Sequence, residues 1–215
     1  MALVGLVALS PVIGAIAIAI RLDSPGPVLF VQERVGRAGR RFLLLKFRTM
    51  YVTDAAHSEW ARDNADRITR VGLWLRRFRL DELPQFVNVL RGDMDLVGPR
   101  PHPVSNFSLF VTVLRNSPEC GEQIPYYSIR SMARPGITGW AQVRYRYANN
   151  LEEEIEKMRY DLYYVKHRSF WLDLRILADT VKTVLGGRES LDGRAGAASG
   201  RRGARRRLQV VPRPQ

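Results

Sequence analysis

A single cysteine, Cys120, stands in 215 residues, so the chain can form no internal disulfide and no cysteine cluster for zinc. His57, His102 and His167 are scattered, without the spacing a metal site needs, and each reads as a surface or hydrogen-bonded ring. No P-loop, GxSxG elbow, HExxH or protein-kinase signature occurs, so those routes to phosphate, acyl or peptide chemistry have no support. The glycine pair of "GRAG", residues 36–39, reads as a hairpin turn rather than a phosphate loop. Acidic residues are few beside basic ones: 21 Asp and Glu against 34 Lys and Arg, for a net charge of +13. A surplus of that sign points to a polyanionic partner, whether nucleic acid, anionic lipid or a phosphorylated substrate. Part of it is local, because 188–215 carries eight arginines against Glu189 and Asp192 in a Gly/Ala/Arg background that reads as a disordered tail.

The longest run without charge is "ALVGLVALSPVIGAIAIAI", Ala2 to Ile20. As a helix it would reach about 28 Å, close to the roughly 30 Å of a bilayer core. Three readings compete: a cleaved signal peptide, a spanning helix, and a helix that enters and turns back. No basic residue precedes the run, which disfavours the first. Ser10-Pro11 lies at its midpoint. Pro11 removes a backbone hydrogen bond and disfavours helical geometry at Ser10. In lipid such a break needs another partner for the freed group, for example a serine hydroxyl. A re-entrant hairpin would bring Met1 and Arg21 to one side, and Arg21 with the basic body behind it favours a cytoplasmic body.

The body reads as α+β and mostly helical. Strand-like runs at Val28–Gln32 and Arg40–Met50, the second carrying Lys46 and Arg48, predict a hairpin across Gly36–Gly39. Val71, Leu73, Trp74, Leu75 and Phe78 predict the apolar side of a helix, and "PQFVNVLRGDM" predicts another that closes at Gly92. Residues 104–115 read as a short apolar helix. "ARPGITGWAQV", Ala133 to Val143, reads as a turn-rich loop whose Trp140 either stacks on a ligand ring or packs in the core. "NLEEEIEKMRYDLYYVKHR" is acidic early and basic late, as the helix dipole favours. Ser169 to Gly187 is amphipathic, with a wide apolar stripe beginning at Phe170 and Trp171. It suits either a core helix or one lying in a membrane interface, and the aromatic start favours the interface.

Asp81 and Glu82 sit side by side in "RRFRLDELPQ", with Arg76, Arg77 and Arg79 upstream and Arg100 downstream. One reading is structural: Asp81 caps a helix, Glu82 lies in its first turn, and Pro84 is tolerated there. The other is chemical. Two carboxylates can hold a divalent cation, and a carboxylate can attack phosphorus to give an acyl-phosphate. Such chemistry needs cations against the migrating charge, and Lys46, Arg76 and Arg100 are of the right type. Asp93 and Asp95 follow in "GDMD", where capping or turn chemistry is the simpler role. From residue types alone the two readings stay open.

Four motifs, "SPGPVLFVQERVG", "KFRTM", "LDELPQFVNVLRGDMDLVGPRP" and "RPGITGWAQV", occur in order. Over about residues 5–187 the chain resembles the bacterial sugar transferases, or monotopic phosphoglycosyl transferases, and most closely the exopolysaccharide-priming members of exosortase systems. The resemblance implies transfer of sugar-1-phosphate from a UDP-sugar donor to undecaprenyl phosphate, initiating exopolysaccharide biosynthesis. The implied route is ping-pong: Asp81 is the nucleophile that forms a covalent phospho-sugar intermediate, and Glu82 is its partner. Both carboxylates would help position Mg2+. Lys46, Arg76 and Arg100 match phosphate-binding positions. Arg134, Pro135 and Gly136 fall in a loop associated with the donor. Ser10 and Pro11 match the break of a re-entrant membrane helix.

The implied organisation is a membrane helix over 1–22, a catalytic domain over 23–187 with an interfacial helix, and the tail at 188–215. The implied location is the bacterial inner membrane, with the catalytic domain on its cytoplasmic face. Three features depart from the family pattern. The chain begins inside the apolar segment, without the basic-aromatic-acidic lead that members usually carry, which is what a segment of a longer protein would show. Asp95 replaces a small hydroxyl residue, adding negative charge near the site, and the arginine-rich tail lies beyond the pattern. Two other function classes remain to be weighed. A non-catalytic scaffold of a polysaccharide assembly has no need of the dyad and its cations together. Nucleic-acid binding lacks a recognition helix or aromatic RNA-binding pattern, so no nucleic-acid partner is expected. A homo-oligomer is compatible with the sequence, and no residue names the sugar.

Overall fold

The computed structural model describes residues 2–52, 66–104, 127–145 and 151–185. The expected helix at 104–115, His57, Cys120 and the tail at 188–215 fall almost wholly outside them. The described chain runs α1 (Ala2–Ala8), α2 (Ser10–Asp23), β1 (Leu29–Val35), β2 (Arg41–Phe47), α3 (Arg70–Arg77), α4 (Gln85–Arg91), β3 (Asp95–Val97), β4 (His102–Pro103), α5 (Tyr127–Met132), β5 (Gly136–Thr138), α6 (Trp140–Arg144), α7 (Leu151–His167) and α8 (Phe170–Leu185). The α+β, mostly helical reading is borne out.

The apolar run is two helices bent by 59° at Leu9, one residue before the expected break, with Ser10 and Pro11 opening the second helix. Pro11 has no N–H to give to the Val7 carbonyl one turn earlier. The Ser10 hydroxyl donates to that same carbonyl at 2.8 Å. Among the described residues no single helix is long and apolar enough to cross a membrane, but the bent pair meets that length and composition together. Both arms return to the body: α1 packs against α4 and α2 against α3. Ile16 and Ile20 of α2 share a core with Phe47 and Leu75.

The expected hairpin forms, β1 pairing antiparallel with β2 from Leu29↔Phe47 to Val35↔Arg41. Both strands differ in extent from the sequence reading. Chain after Phe47 leaves the sheet because buried Arg48 turns back on the preceding loop, donating to the Ser24 carbonyl at 2.7 Å and its hydroxyl at 3.0 Å, and also to the Pro25 carbonyl. β4 adds to the free edge of β1 through Arg34↔Pro103 and Val35↔His102. The "GRAG" turn closes the hairpin, with Gly36 N–H donating to the Arg40 carbonyl at 2.7 Å.

α3 is capped twice: the Thr69 hydroxyl accepts from Gly72 N–H at 2.9 Å, and the Asp23 carboxylate of α2 accepts from Val71 N–H at 3.2 Å. The predicted apolar side of this helix is only partly right. Leu75 is buried, whereas Leu73 and Trp74 are exposed, and Trp74 stacks on Phe78 with ring centroids 5.7 Å apart. Eight residues give one turn of contact, and Gly72 takes it by lying directly on the Thr49 backbone. A Cβ at Gly72 would stand 2.1 Å from the Thr49 carbonyl oxygen.

The "ARPGITGWAQV" segment is not a loop. It forms β5, parallel to β3 with register Asp95↔Gly136 and Val97↔Thr138, and then α6. The backbones come so close that a Cβ at Gly136 would lie 2.0 Å from the Gly98 nitrogen. Trp140 packs on Tyr163 of α7 at 5.9 Å, with Arg144 and Arg175 over its ring at 4.4 and 5.6 Å, so the packed reading holds for this ring. α7 spans the expected helix and buries Met158, Asp161 and Tyr164. α8 is a core helix on one side and carries exposed apolar residues on the other. Ile176 sits in a core with Val97 and Tyr164, while Phe170 and Trp171 are 74% and 75% exposed and Leu174, Val181 and Leu185 extend that open apolar stripe.

Gly72→Ala tests the α3 contact. Its methyl group has only backbone to displace, so the unfolding free energy in detergent should fall by about 1–3 kcal/mol. An unchanged denaturation midpoint would mean that α3 can move off Thr49.

Candidate active site

Asp81 and Glu82 lie in a short helical turn, Leu80–Glu82, entered through Arg79 in the left-handed conformation at φ 53°. The capping expectation is corrected here. α4 begins only at Gln85, Pro84 occupies its N-cap position, and no side chain caps it. The left-handed kink at Arg79 ends α3 and detaches the dyad from α4, leaving both carboxylates available for other contacts. Gly92 closes α4 as expected, its N–H bonding to the Asn88 and Val89 carbonyls. Asp93 accepts from the Asn88 amide at 3.2 Å, in keeping with a turn role.

The two carboxylates are treated differently. Glu82 is buried, with Arg100 Nη1 donating to its Oε1 at 3.0 Å and Arg79 Nη1 4.0 Å from its Oε2. Burial alone would raise its pKa, but Arg100 and then Arg79 outweigh that and hold the carboxyl below its ordinary range. Asp81 is half-buried and, among the described residues, makes no hydrogen bond or ion pair. Burial, reinforced by the neighbouring Glu82 charge, pushes its carboxyl up to about 6, against the opposing pull of Lys46, Arg76 and Arg100. One carboxylate is therefore held ionised and engaged, and the other is poised near neutrality.

All three predicted phosphate-binding cations converge on Asp81. Lys46 comes from β2, its ammonium 4.8 Å from the ring centre of Phe30, its cross-strand partner. Burial, then the Arg34 charge, lowers its pKa to about 8, with Asp81 opposing and Arg100 and Arg76 adding to the fall. Arg76 lies one helical turn after Gly72, so the glycine contact brings it to Thr49, whose hydroxyl accepts from its Nε at 3.0 Å. No other bond engages the Arg76 side chain among the described residues, so both Nη groups stay available to a phosphate. Arg100 lies between β3 and β4, paired to Glu82.

Arg134, Pro135 and Gly136 are placed differently. Arg134 pairs with Asp95 at 3.5 Å, as does Arg168, so the Asp95 charge is met by two arginines. The Pro135 carbonyl accepts from Asp95 N–H at 2.8 Å, and Gly136 N–H donates to the Pro99 carbonyl at 3.0 Å. These residues tie down the chain that leads into Arg100. His102 is buried in β4, where desolvation, then the Arg130 charge, keeps its ring neutral, well below its ordinary pKa.

Sequence reasoning missed three residues. Asn88 is fully buried, its Oδ1 accepting from Leu45 N–H at 3.0 Å and its Nδ2 donating to the Leu43 carbonyl at 2.7 Å. It acts as a strand partner for β2 just before Lys46 and so locks α4 to that strand. Its signal was an asparagine among Phe86, Val87, Val89 and Leu90. Arg130 and Asp161 form a buried ion pair at 2.8 Å. Their signal was an aspartate at helical spacing from Met158 and Tyr164. Removing one partner of such a pair typically costs about 3–5 kcal/mol.

For Mg2+, the described residues include no group of three or more metal-ligating side chains. Mg2+ bound with nucleotide phosphates typically takes only one or two carboxylates, the rest of its shell being phosphate and water. The Asp81 and Glu82 oxygens are donors of that kind.

The raised Asp81 pKa carries a stability prediction. The folded state holds this proton up to about 6, against an ordinary 3.8. Its contribution is favourable below the lower value and is lost as pH climbs through the higher one. Asp81→Asn removes the ionisation, so its melting temperature should exceed that of the parent by a few degrees at pH 7, with the gap closing toward pH 4. A variant less stable than the parent at pH 7 would show that the cations stabilise the ionised Asp81 outright.

Residues 1–187 match the family described as bacterial sugar transferase. The chain is 44% identical over 179 residues to UDP-N-acetylgalactosamine-undecaprenyl-phosphate N-acetylgalactosaminephosphotransferase of Aeromonas hydrophila, covering 83% of this chain and 40% of that protein. It is 42% identical over 190 residues to UDP-glucose:undecaprenyl-phosphate glucose-1-phosphate transferase of Xanthomonas campestris pv. campestris, covering 86% and 37%. A transferase of the same name from Caulobacter vibrioides is 42% identical over 179 residues, covering 82% and 63%. The chain thus spans less than two thirds of the length of each of these relatives. A match over most of the chain, at this identity and with the dyad and its cations gathered in one place, establishes that the chain belongs to the bacterial sugar transferase family.

Proposed function

We propose that this chain is the catalytic part of a priming phosphoglycosyl transferase. It moves sugar-1-phosphate from a UDP-sugar to undecaprenyl phosphate at the cytoplasmic face of a bacterial inner membrane, beginning exopolysaccharide assembly. The observation that carries this reading is the asymmetry of the dyad. Glu82 is committed to Arg100, while Asp81 is unengaged among the described residues and ringed by Lys46, Arg76 and Arg100. A scaffold would have no use for a half-buried, poised carboxylate among three cations.

In the first half-reaction the diphosphate is drawn to Lys46 and Arg76, Arg giving planar two-point contacts and Lys a compact charge. An ionised Asp81 oxygen attacks the β-phosphorus. The bond from that phosphorus to the oxygen bridging the two phosphates breaks, and UMP leaves with the electron pair. The sugar-1-phosphoryl group is then held as an acyl-phosphate on Asp81. Arg100, already oriented by Glu82, stabilises charge on the phosphoryl oxygens without reorganising. In the second half-reaction a phosphate oxygen of undecaprenyl phosphate attacks the same phosphorus and releases Asp81. Asp81 and Glu82 would hold Mg2+, which when bound offsets negative charge on the diphosphate. Arg134, Pro135 and Gly136 serve the donor by fixing the chain that presents Arg100.

The bent pair α1–α2 acts as a re-entrant membrane anchor, supported by the Ser10–Val7 bond across the break and by the return of both arms to the body. The exposed stripe of α8, opened by Phe170 and Trp171, is the surface that would lie in the membrane interface. The identity of the sugar is set by contacts a donor panel would read.

The test is UMP release from donor without acceptor. A two-step route predicts a burst equal to the enzyme present, then turnover only when undecaprenyl phosphate is added. The kcat/KM for donor should be bell-shaped in pH, falling below about 6 as Asp81 protonates and above about 8 as Lys46 loses its charge. UMP release that strictly requires acceptor would contradict the two-step route.

A further inference from the structure

Arg100 lies outside regular secondary structure, in residues 98–101 between β3 and β4. No strand or helix of its own fixes the direction of its long side chain. Two other arginines hold the chain there by consecutive carbonyls. Arg130 Nη2 donates to the Arg100 carbonyl at 2.6 Å, and Arg34 Nη1 donates to the Pro101 carbonyl at 3.2 Å. Arg130 is itself oriented by Asp161, its Nε meeting Asp161 Oδ2 at 2.8 Å. Asp161 belongs to α7, against which α5, bearing Arg130, packs. Both members of the pair are buried. A connected path therefore runs from α7 through Asp161, Arg130 and the Arg100 backbone to the Arg100 guanidinium and Glu82.

A simple staple between α5 and α7 would need only the ion pair. Here the flat guanidinium divides its donors. Nε meets Asp161, and Nη2 meets the backbone of the very residue that pairs with Glu82. This is the fork geometry that arginine has and lysine lacks.

We propose that Asp161 and Arg130 are positioning residues of the transfer reaction, holding the Arg100 backbone from behind so that its guanidinium stays on Glu82. The kinetic consequence rests on the transferase reading above; the coupling between α7 and Glu82 does not.

Arg130→Lys keeps the charge but replaces the two nitrogens that separately meet Asp161 and the Arg100 carbonyl with one. Asp161→Asn keeps the shape and releases Arg130. In the full chain in detergent, both should lower kcat by about one to two orders of magnitude, as sub-ångström misplacement does. In an Arg100→Ala background, Arg130→Lys should have no further effect, because its route to the dyad is already cut. A second readout needs no turnover. The Arg100 guanidinium meets Glu82 Oε1 at 3.0 Å. In chain carrying 15N-labelled arginine, both variants should move the Arg100 Nη signal toward that of a solvated guanidinium. An Arg100 signal unmoved in a folded variant, or additive losses in the Arg100→Ala background, would overturn the proposal. If Arg130→Lys does not fold, Asp161→Asn decides by the same signal. Should the parent release no UMP while the Arg100 signal still shifts in the variants, the transferase reading fails and the positioning stands.

Discussion

The ion pair between Arg100 and Glu82 sets the character of everything near it. Two adjacent carboxylates in a partly desolvated turn cannot both carry charge cheaply. Arg100, helped by Arg79, stabilises the charge on Glu82. The penalty of burial then falls on Asp81, whose carboxyl rises to about 6. Without Arg100 the dyad would lose its asymmetry and share its protons as a pair. Separation of neighbouring carboxylates by environment is a general way to give two like groups different tasks.

Much of the fold serves to bring cations from distant segments to that turn. Lys46 arrives on β2, which Asn88 fastens to α4. Arg76 arrives because Gly72 lets α3 lie on Thr49. Arg100 arrives because Gly98 and Gly136 let β3 and β5 meet backbone to backbone and because β4 returns to the hairpin edge. None of the three cations is adjacent in sequence to another. The arrangement is stable only because buried polar groups, Asn88 and the Arg130–Asp161 pair among them, are satisfied by specific partners.

How much of this could be read in advance depended on the range of the interaction. The hairpin, the closure of α4 at Gly92 and the long α7 were legible, since turn residues and helical periodicity act over a few positions. The dyad and its cations were legible as residue types, and ordered motifs joined them into one site. The β3–β5 pair was not, because its glycines look like turn formers and their real role is contact between backbones about forty residues apart in sequence. The capping reading of Asp81, one of the two left open, failed for a local reason, the left-handed Arg79, which a non-glycine residue rarely signals. Leu73 and Trp74 were grouped with buried Leu75 on one apolar side because an apolar helix face reads the same whether it meets protein or something outside it. Arg130 and Asp161 gave only half a signal each, since a buried charge predicts a partner without naming it.

The apolar surfaces complete the account. The bent α1–α2 pair, its break bridged by Ser10, and the open stripe of α8 leave apolar area exposed, the kind of surface that the proposed action on a lipid phosphate would use. The central claim concerns Asp81 itself. The most direct measurement is peptide mass spectrometry of the full chain quenched after mixing with UDP-sugar and Mg2+ in the absence of acceptor. The account predicts a mass addition equal to the sugar-phosphate of the donor used, on the peptide containing Asp81, absent in Asp81→Asn and discharged by undecaprenyl phosphate. An adduct on another residue, or an active enzyme that never carries one, would contradict it.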